Sequence, residues 1–288
     1  MILLENETVK VLIASKGAEL RSIQSKLTGL NYLWKGDPMF WGKFSPVLFP
    51  VIGGLKDNTY CIGEECYQLP RHGFARDMEF NAEQISAVEA LFTLTENSET
   101  LKVYPFEFKL ALRYKLSGSS VSCTYEVTNP GEKELLFSAG GHPAFAVPLT
   151  AETSYEDYYL EFSADESVVY HEIENNLISD QTAILQLDER KLNLQHSLFY
   201  NDALVFKDLK SNTISLKNTK NQHGLHFRFI AFPFFGIWAA KDADFVCLEP
   251  WCGIADGVHH NQQLSDKEGI VSLSPGQDWK RIWEVEVF

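Results

Sequence analysis

Long apolar runs and an excess of positive charge are both missing from this 288-residue chain. The most apolar stretch, Ile230 to Ala240, is too short to span a bilayer and is interrupted by Pro233 and Gly236. The first ten residues carry two glutamates instead of the basic start and apolar segment of a signal peptide. Cysteine is scarce and odd in number, at five, which together with the missing export signal predicts reduced thiols and a cytoplasmic protein. Lys and Arg total 25 against 39 Asp and Glu, a net charge of −14 with no offsetting basic patch, so neither nucleic acid nor an anionic membrane is expected as a partner. No G-x-G-x-x-G or G-x-S-x-G occurs, and Gly53-Gly54 is too short for a phosphate cradle. Cys61/Cys66 and Cys247/Cys252 are spaced C-x4-C with His259-His260 near the second pair. That spacing is looser than a zinc knuckle, so no metal site is read from it. Linkers, charge blocks and repeats are absent as well, which predicts one domain over residues 1–288.

What the chain has instead is period two. Phe106, Phe108, Leu110, Leu112, Tyr114 and Leu116 alternate with Glu107, Lys109, Ala111, Arg113 and Lys115, the pattern of a strand with one buried face. After Ser117-Gly118-Ser119-Ser120 the pattern resumes at Val121, Cys123, Tyr125 and Val127, which predicts a β-hairpin. Similar alternation marks Val88 to Thr95, Tyr158 to Phe162, Leu225 to Phe229 and Trp283 to Phe288. Helical signals are confined to a turn or two at Asp37 to Phe44 and around Asn97 to Val103. The predicted class is all-β, a large antiparallel sandwich, with many of its aromatics (13% of residues) free to line a groove on a concave sheet.

Three short segments carry the ionisable residues that suit chemistry: Arg71-His72-Gly73-Phe74-Ala75-Arg76, Gly140-Gly141-His142-Pro143 and Leu248-Glu249-Pro250-Trp251. His72 and Arg76, four apart, share a face and offer two donors to a hydroxylated or anionic ligand. The alternative is a turn-capping His72 and a surface pair of Arg76 with Asp77 or Glu79. Pro143 pushes His142 toward extended backbone, and the two glycines before it allow close approach; a structural histidine is the alternative. Glu249 follows the apolar run Phe245 to Leu248, which Pro250 is expected to end. A carboxylate there is costly without donors or a task, unless it sits in a surface salt bridge. Burial would raise its pKa toward that of a base useful near neutrality, and Trp251 adds an apolar plate with a polar edge.

In order along the chain, Gly17-Ala18-Glu19-Leu20, Tyr32-Leu33-Trp34, Ser45 to Gly53, His72 to Arg76, Gly141-His142-Pro143, Asn201 to Phe206 and Glu249 to Asp256 resemble the aldose 1-epimerases, a galactose mutarotase-like family, and in particular its branch linked to bacterial lactose operons. The resemblance implies a β-sandwich with the sugar in an open groove, no metal or organic cofactor, and a monomer or homodimer whose partner is a small sugar. It implies Glu249 as general base at the anomeric hydroxyl and His142 as general acid at the ring oxygen. His72 is then the second pocket histidine and Asp202 a residue that binds sugar hydroxyls, and the residues read above, Arg76 and Trp251, join them as substrate-binding candidates. Gly54 stands where relatives usually carry a sugar-binding arginine, so either Arg76 or Lys56 fills that volume or the substrate differs. Two alternatives stay open: a hexose-6-phosphate 1-epimerase using Arg71, Arg76 and Lys56, and a non-catalytic sugar-binding or sensing protein.

Overall fold

The computed structural model describes residues 1–288, and two large antiparallel sheets dominate it. One has nine strands, running in space from Lys191–Asn193 through Tyr158–Phe162, Thr213–Asn218, Leu225–Ile230, Asp278–Val287, Ser120–Thr128, Lys109–Ser117 and Glu89–Thr95 to Asn81–Ser86. At its centre is the hairpin foreseen from the alternation, with Val121 opposite Leu116 and Val127 opposite Leu110. The other has eight strands: Leu177–Gln186, Ser167–Glu174, Leu204–Phe206, Phe234–Trp238, Phe245–Cys252, Ala139–Gly141 and Val47–Leu48, with Ala144–Ala146 alongside Phe245–Cys252.

The two sheets meet through aromatic side chains supplied by alternate strand positions. Phe229 and Phe235 have ring centroids 4.2 Å apart, and Phe145 and Phe227 lie 5.8 Å apart. Together with the small N-terminal sheet Ile2–Glu5, Val9–Ile13 and Leu20–Ser25 they close over one cluster of 70 buried residues. Burial of apolar area on this scale is the main driving force for the fold.

Three local expectations are corrected. Of the turn or two expected at 37–44 only one forms, in which the Asp37 carbonyl accepts from the Phe40 and Trp41 amides, and it is followed by irregular chain, not a helix. Gly42 weakens any further turn, and the 98–103 stretch is the one that becomes a helix, capped by Asn97. Pro250 does not end its strand, which continues to Cys252. Pro costs a strand one N–H, and the neighbouring pairing already lapses between Gly140 and Ala144, where the Leu248 amide still donates to the Pro143 carbonyl. The thiols are not all reduced: Cys61 and Cys66 stand directly opposite each other in the hairpin Thr59–Ile62 and Glu65–Gln68 and are joined as a disulfide, whereas Cys123, Cys247 and Cys252 are free and buried.

Candidate active site

Strand register brings the acid and base candidates together. Gly140 pairs with Trp251 and Ala144 with Cys247, and extending that register puts His142 directly across from Glu249. Directly opposed residues project to the same face, and His142 Nε2 lies 3.2 Å from Glu249 Oε2. Period two along Phe245–Cys252 places Phe245, Cys247, Glu249 and Trp251 on this face. On the other side of the strand Glu249 is opposite Gly236, where a Cβ would come within 2.4 Å of the Trp251 ring. Gly236 is therefore what lets the Trp251 indole lie flat as part of the floor.

His142 is held by aromatic walls. Its imidazole stacks on Trp41, with centroids 5.0 Å apart and planes 27° apart, and meets Trp238 edge-on at 5.6 Å. His72 also meets it edge-on at 5.6 Å. The backbone of His72 is in the left-handed region at φ 69°, and the Gly53 amide donates to its Nδ1 at 3.1 Å. Arg71, Arg76, Ile173, Asn176, Ile178, Ala203 and Val205 complete the groove.

All three ionisable groups are nearly out of solvent: Glu249 is 1% exposed, His72 5% and His142 7%. Burial pushes the Glu249 carboxyl well above the usual carboxylate range, opposed by Arg71 and assisted by Asp202. Burial lowers His142 to about 3, helped by the positive charge of Arg71 and, more weakly, Arg76. His72 is held well below an ordinary histidine by burial, His142 and the two arginines. The ligand-free groove therefore favours one proton on the Glu249–His142 pair, sited on the carboxyl. Glu249 Oε2, His142 Nδ1 and Trp251 Nε1 are buried with no hydrogen-bond partner, a deficit that a polar ligand would meet.

Five of the six site residues named from sequence, His72, Arg76, His142, Glu249 and Trp251, line one groove. Asp202 sits behind its rim, where its carboxylate lies 3.6 Å from Arg71 Nη2. Arg76 donates from Nη2 to the Arg71 carbonyl at 2.7 Å. Lys56 is turned away, with its Nζ donating to the His260 carbonyl. The position of Gly54 is occupied differently from expectation: the Asn176 carbonyl lies 2.6 Å from where a Cβ of residue 54 would be. Trp41, Trp238 and Asn176 were not singled out in advance. Trp238 alone had a readable signal, since it shares period two with Phe234 on Phe234–Trp238.

The C-x4-C pairs do not converge on a metal. Cys61 and Cys66 are bonded to each other, Cys247 and Cys252 fall on opposite faces of one strand, and His259 pairs with Asp180. His142, Cys247 and Glu249 do place one potential ligand atom each within 4.8 Å of one another. Burial pushes both the thiol and the carboxyl up, so a cation there would have to displace two protons. The set is better suited to holding and passing protons.

An open groove on an antiparallel supersandwich, with a carboxyl and two imidazoles on its floor, defines a galactose mutarotase-like fold. Solved structures of a galactose mutarotase-related enzyme from Lactobacillus acidophilus and a galactose mutarotase-like protein from Lactobacillus casei have this architecture. They superpose with TM-scores of 0.94 and 0.92 at 32% identity, covering 100% of this chain and 97% and 100% of theirs. The plasmid-encoded LacX protein of Lactococcus lactis subsp. lactis is 34% identical over 99% of this chain and 98% of its own length. The aldose 1-epimerase family model matches residues 1–280, and the chain belongs to that family. No helix is long and apolar enough to cross a membrane.

Proposed function

We propose that the protein interconverts the α and β anomers of a free hexose or related sugar. The observation that carries this reading is the buried Glu249–His142 contact of 3.2 Å, with unpartnered atoms of both side chains in one groove. In the reaction Glu249, having passed its proton to His142, takes the proton of the C1 hydroxyl. The bond between C1 and the ring oxygen breaks as His142 delivers its proton to that oxygen. Rotation about C1–C2 turns the other face of the aldehyde to the C5 hydroxyl. On closure the C5 hydroxyl attacks C1 and gives its proton to His142, while Glu249 gives its proton back to the C1 oxygen. His72 holds the ring-oxygen and C1 region, Arg76 and Trp251 hold the remaining hydroxyls and the ring face, and Asp202 acts from behind the rim through Arg71.

Arg71 and Arg76 both line the groove, which keeps 6-phosphorylated hexoses as a second substrate class. Each guanidinium already faces a carboxylate, Asp202 and Asp77, at 3.6 Å, and this favours neutral sugars. The test is anomeric exchange by NMR over a panel of free and 6-phosphorylated aldoses, compared with the spontaneous rate. Wild-type protein is expected to accelerate at least one free aldose. Glu249→Gln is expected to lose about 10²–10⁴-fold of that acceleration, while exchange at the wild-type rate in this variant would remove Glu249 as the base.

A further inference from the structure

We propose that Arg71 is a substrate-binding and specificity-determining residue, and that its Nε–H and the Nε2–H of His72 together bind one neutral oxygen of the sugar. The inference deepens the epimerase reading and rests on it. It begins with a hydrogen-bond count. A backbone N–H can only donate, and the Gly53 amide points at His72 Nδ1 from 3.1 Å. Nδ1 is therefore bare, and the imidazole carries its proton on Nε2. The Arg71 Nε–H is aimed at that same Nε2 from 3.2 Å, as if Nε2 were the acceptor, and an arginine is also only a donor; the backbone amide of Gly53 is the less movable of the two donors, so it is the Arg71 contact that is in conflict. Two N–H groups thus stand side by side without an acceptor between them. Both hydrogens are fixed in the planes of their groups, so a small shift of the Arg71 side chain that admits an oxygen within reach of both would resolve the conflict, and both residues line the groove.

The guanidinium is aimed there by neighbours distant in sequence. Its Nη1 donates to Asn176 Oδ1 at 2.8 Å, its Nη2 lies 3.6 Å from Asp202 Oδ1, and the Arg71 carbonyl accepts from Arg76. Asn176 and Asp202 both have positive φ, 67° and 99°, conformations that cost energy and cluster where function needs them. Asn176 reaches Arg71 because residue 54 has no side chain: its carbonyl lies 2.6 Å from the Cβ position of Gly54. The Asp202 carboxylate balances the guanidinium charge, so an anionic oxygen would meet repulsion as well as attraction. This selects a hydroxyl or hemiacetal oxygen over a phosphate or carboxylate.

The experiment combines kinetics, titration and nitrogen NMR on the full chain. D-Glucose, D-galactose and D-glucose 6-phosphate are the probes, with wild type, Arg71→Met, Arg71→Lys, Asn176→Ala and Glu249→Gln compared. A charge-assisted hydrogen bond is worth about 1.5–3 kcal/mol, or roughly 10–150-fold. Arg71→Met is expected to raise both KM and the directly titrated Kd of the better neutral sugar by about tenfold or more. Its kcat is expected to change far less, because ground and transition states share the contact. Arg71→Lys keeps the charge but loses the planar fork, and is expected to resemble Met. Asn176→Ala is expected to show a smaller rise in the same direction. The ¹⁵N spectrum of wild-type His72 is expected to show the Nε2–H tautomer, with the Nε2 signal moving when sugar binds. A wild-type Kd in Arg71→Met, or a protonated Nδ1 on His72, overturns the proposal. Because Kd is measured without turnover, these results stand apart from the epimerase reading, which Glu249→Gln judges separately.

Discussion

Glu249 and Asp256 lie seven residues apart in the chain, and both are buried, at 1% and 2% exposure, but their surroundings differ. Asp256 is fully partnered: Lys267 Nζ sits 2.7 Å from one oxygen, while the other accepts from the Lys56 amide at 2.9 Å and lies 3.4 Å from His260 Nδ1. Its backbone also ties the site together, the amide donating to Gly54 and the carbonyl accepting from Ile178. Glu249 has only a neutral imidazole 3.2 Å from Oε2, and that same oxygen makes no hydrogen bond. A buried charge that serves only the fold is given all its partners, because each missing one costs stability. A buried acid that must exchange a proton is left short of them, and the surrounding fold has to hold it there.

The largest expected effect tests the partnered half. Lys267→Met leaves Asp256 buried without its cation, and breaking such a pair typically costs about 3–5 kcal/mol. The loss is expected in denaturant midpoints, with the slope unchanged. Asp256→Asn combined with Lys267→Met removes both charges and is expected to recover much of it. If Lys267→Met is as stable as wild type, the pair is not what anchors the segment behind the groove.

The unpartnered half should be visible in the pH dependence of exchange. In the proposed reaction the working state holds one proton on the Glu249–His142 pair. At low pH a second proton adds to His142, near its value of about 3. At high pH the pair loses its proton as Glu249 passes through its raised pKa. After subtraction of the acid- and base-catalysed background, enzymatic exchange is expected to be flat from above about 3 to well beyond the ordinary carboxylate range. A rate that fell as soon as pH dropped below the normal histidine range would show that His142 titrates as an exposed imidazole, contrary to its burial.

A smaller effect is expected at Arg76. The expectation from sequence was that it supplies the donor absent at Gly54. It does line the groove, but its Nη2 is engaged by the Arg71 carbonyl and its buried Nε has no hydrogen-bond partner. Arg76→Ala is expected to raise KM by up to about tenfold through one hydrogen bond's worth of positioning, with little change in kcat. An unchanged KM would leave Arg71 as the groove's only contributing arginine.

How much of this was legible in the sequence follows from the range of each interaction. The central hairpin could be read because alternation and turn residues are local, and the helix at 98–103 because its cap is three residues away. His72, His142 and Glu249 were legible because each sits in a short segment of Gly, Pro and aromatic residues; their convergence on one groove was not, since it depends on strand register. Trp41 escaped because its segment looked faintly helical, although it closes a single turn and stacks on His142. Asn176 escaped because a two-asparagine turn looks like any hairpin turn until Gly54 is brought against it. Cys61 and Cys66 were misread because an odd cysteine count says nothing about which two become cross-strand neighbours. The Asp256–Lys267 pair could not be foreseen for a simpler reason: burial of a lysine leaves no mark on its own sequence.

The smallest effect is also the sharpest form of the contrast between the two carboxylates, because it predicts a gain in stability on removing one. Burial raises the Glu249 pKa above its ordinary 4.5. Below 4.5 the folded and unfolded chains both carry the proton, and the group makes no pH-dependent difference. Above it the unfolded chain ionises first and binds fewer protons than the folded one, so stability falls as pH rises until the folded carboxyl titrates. Gln has the shape of the protonated acid and no such loss. Glu249→Gln is therefore expected to melt at about the wild-type temperature near pH 4 and above it at pH 7. For a chain of this size each kcal/mol recovered corresponds to about 2–4 °C. His142→Asn should show the opposite window, because a lowered pKa penalises the folded state as pH falls from the ordinary 6.5 toward about 3. Scanning calorimetry of both variants at pH 4, 5.5 and 7 would separate the two. A Glu249→Gln protein that is less stable than wild type at pH 7 would mean that the carboxyl is ionised and well supported in the free protein, and the distinction from Asp256 would collapse.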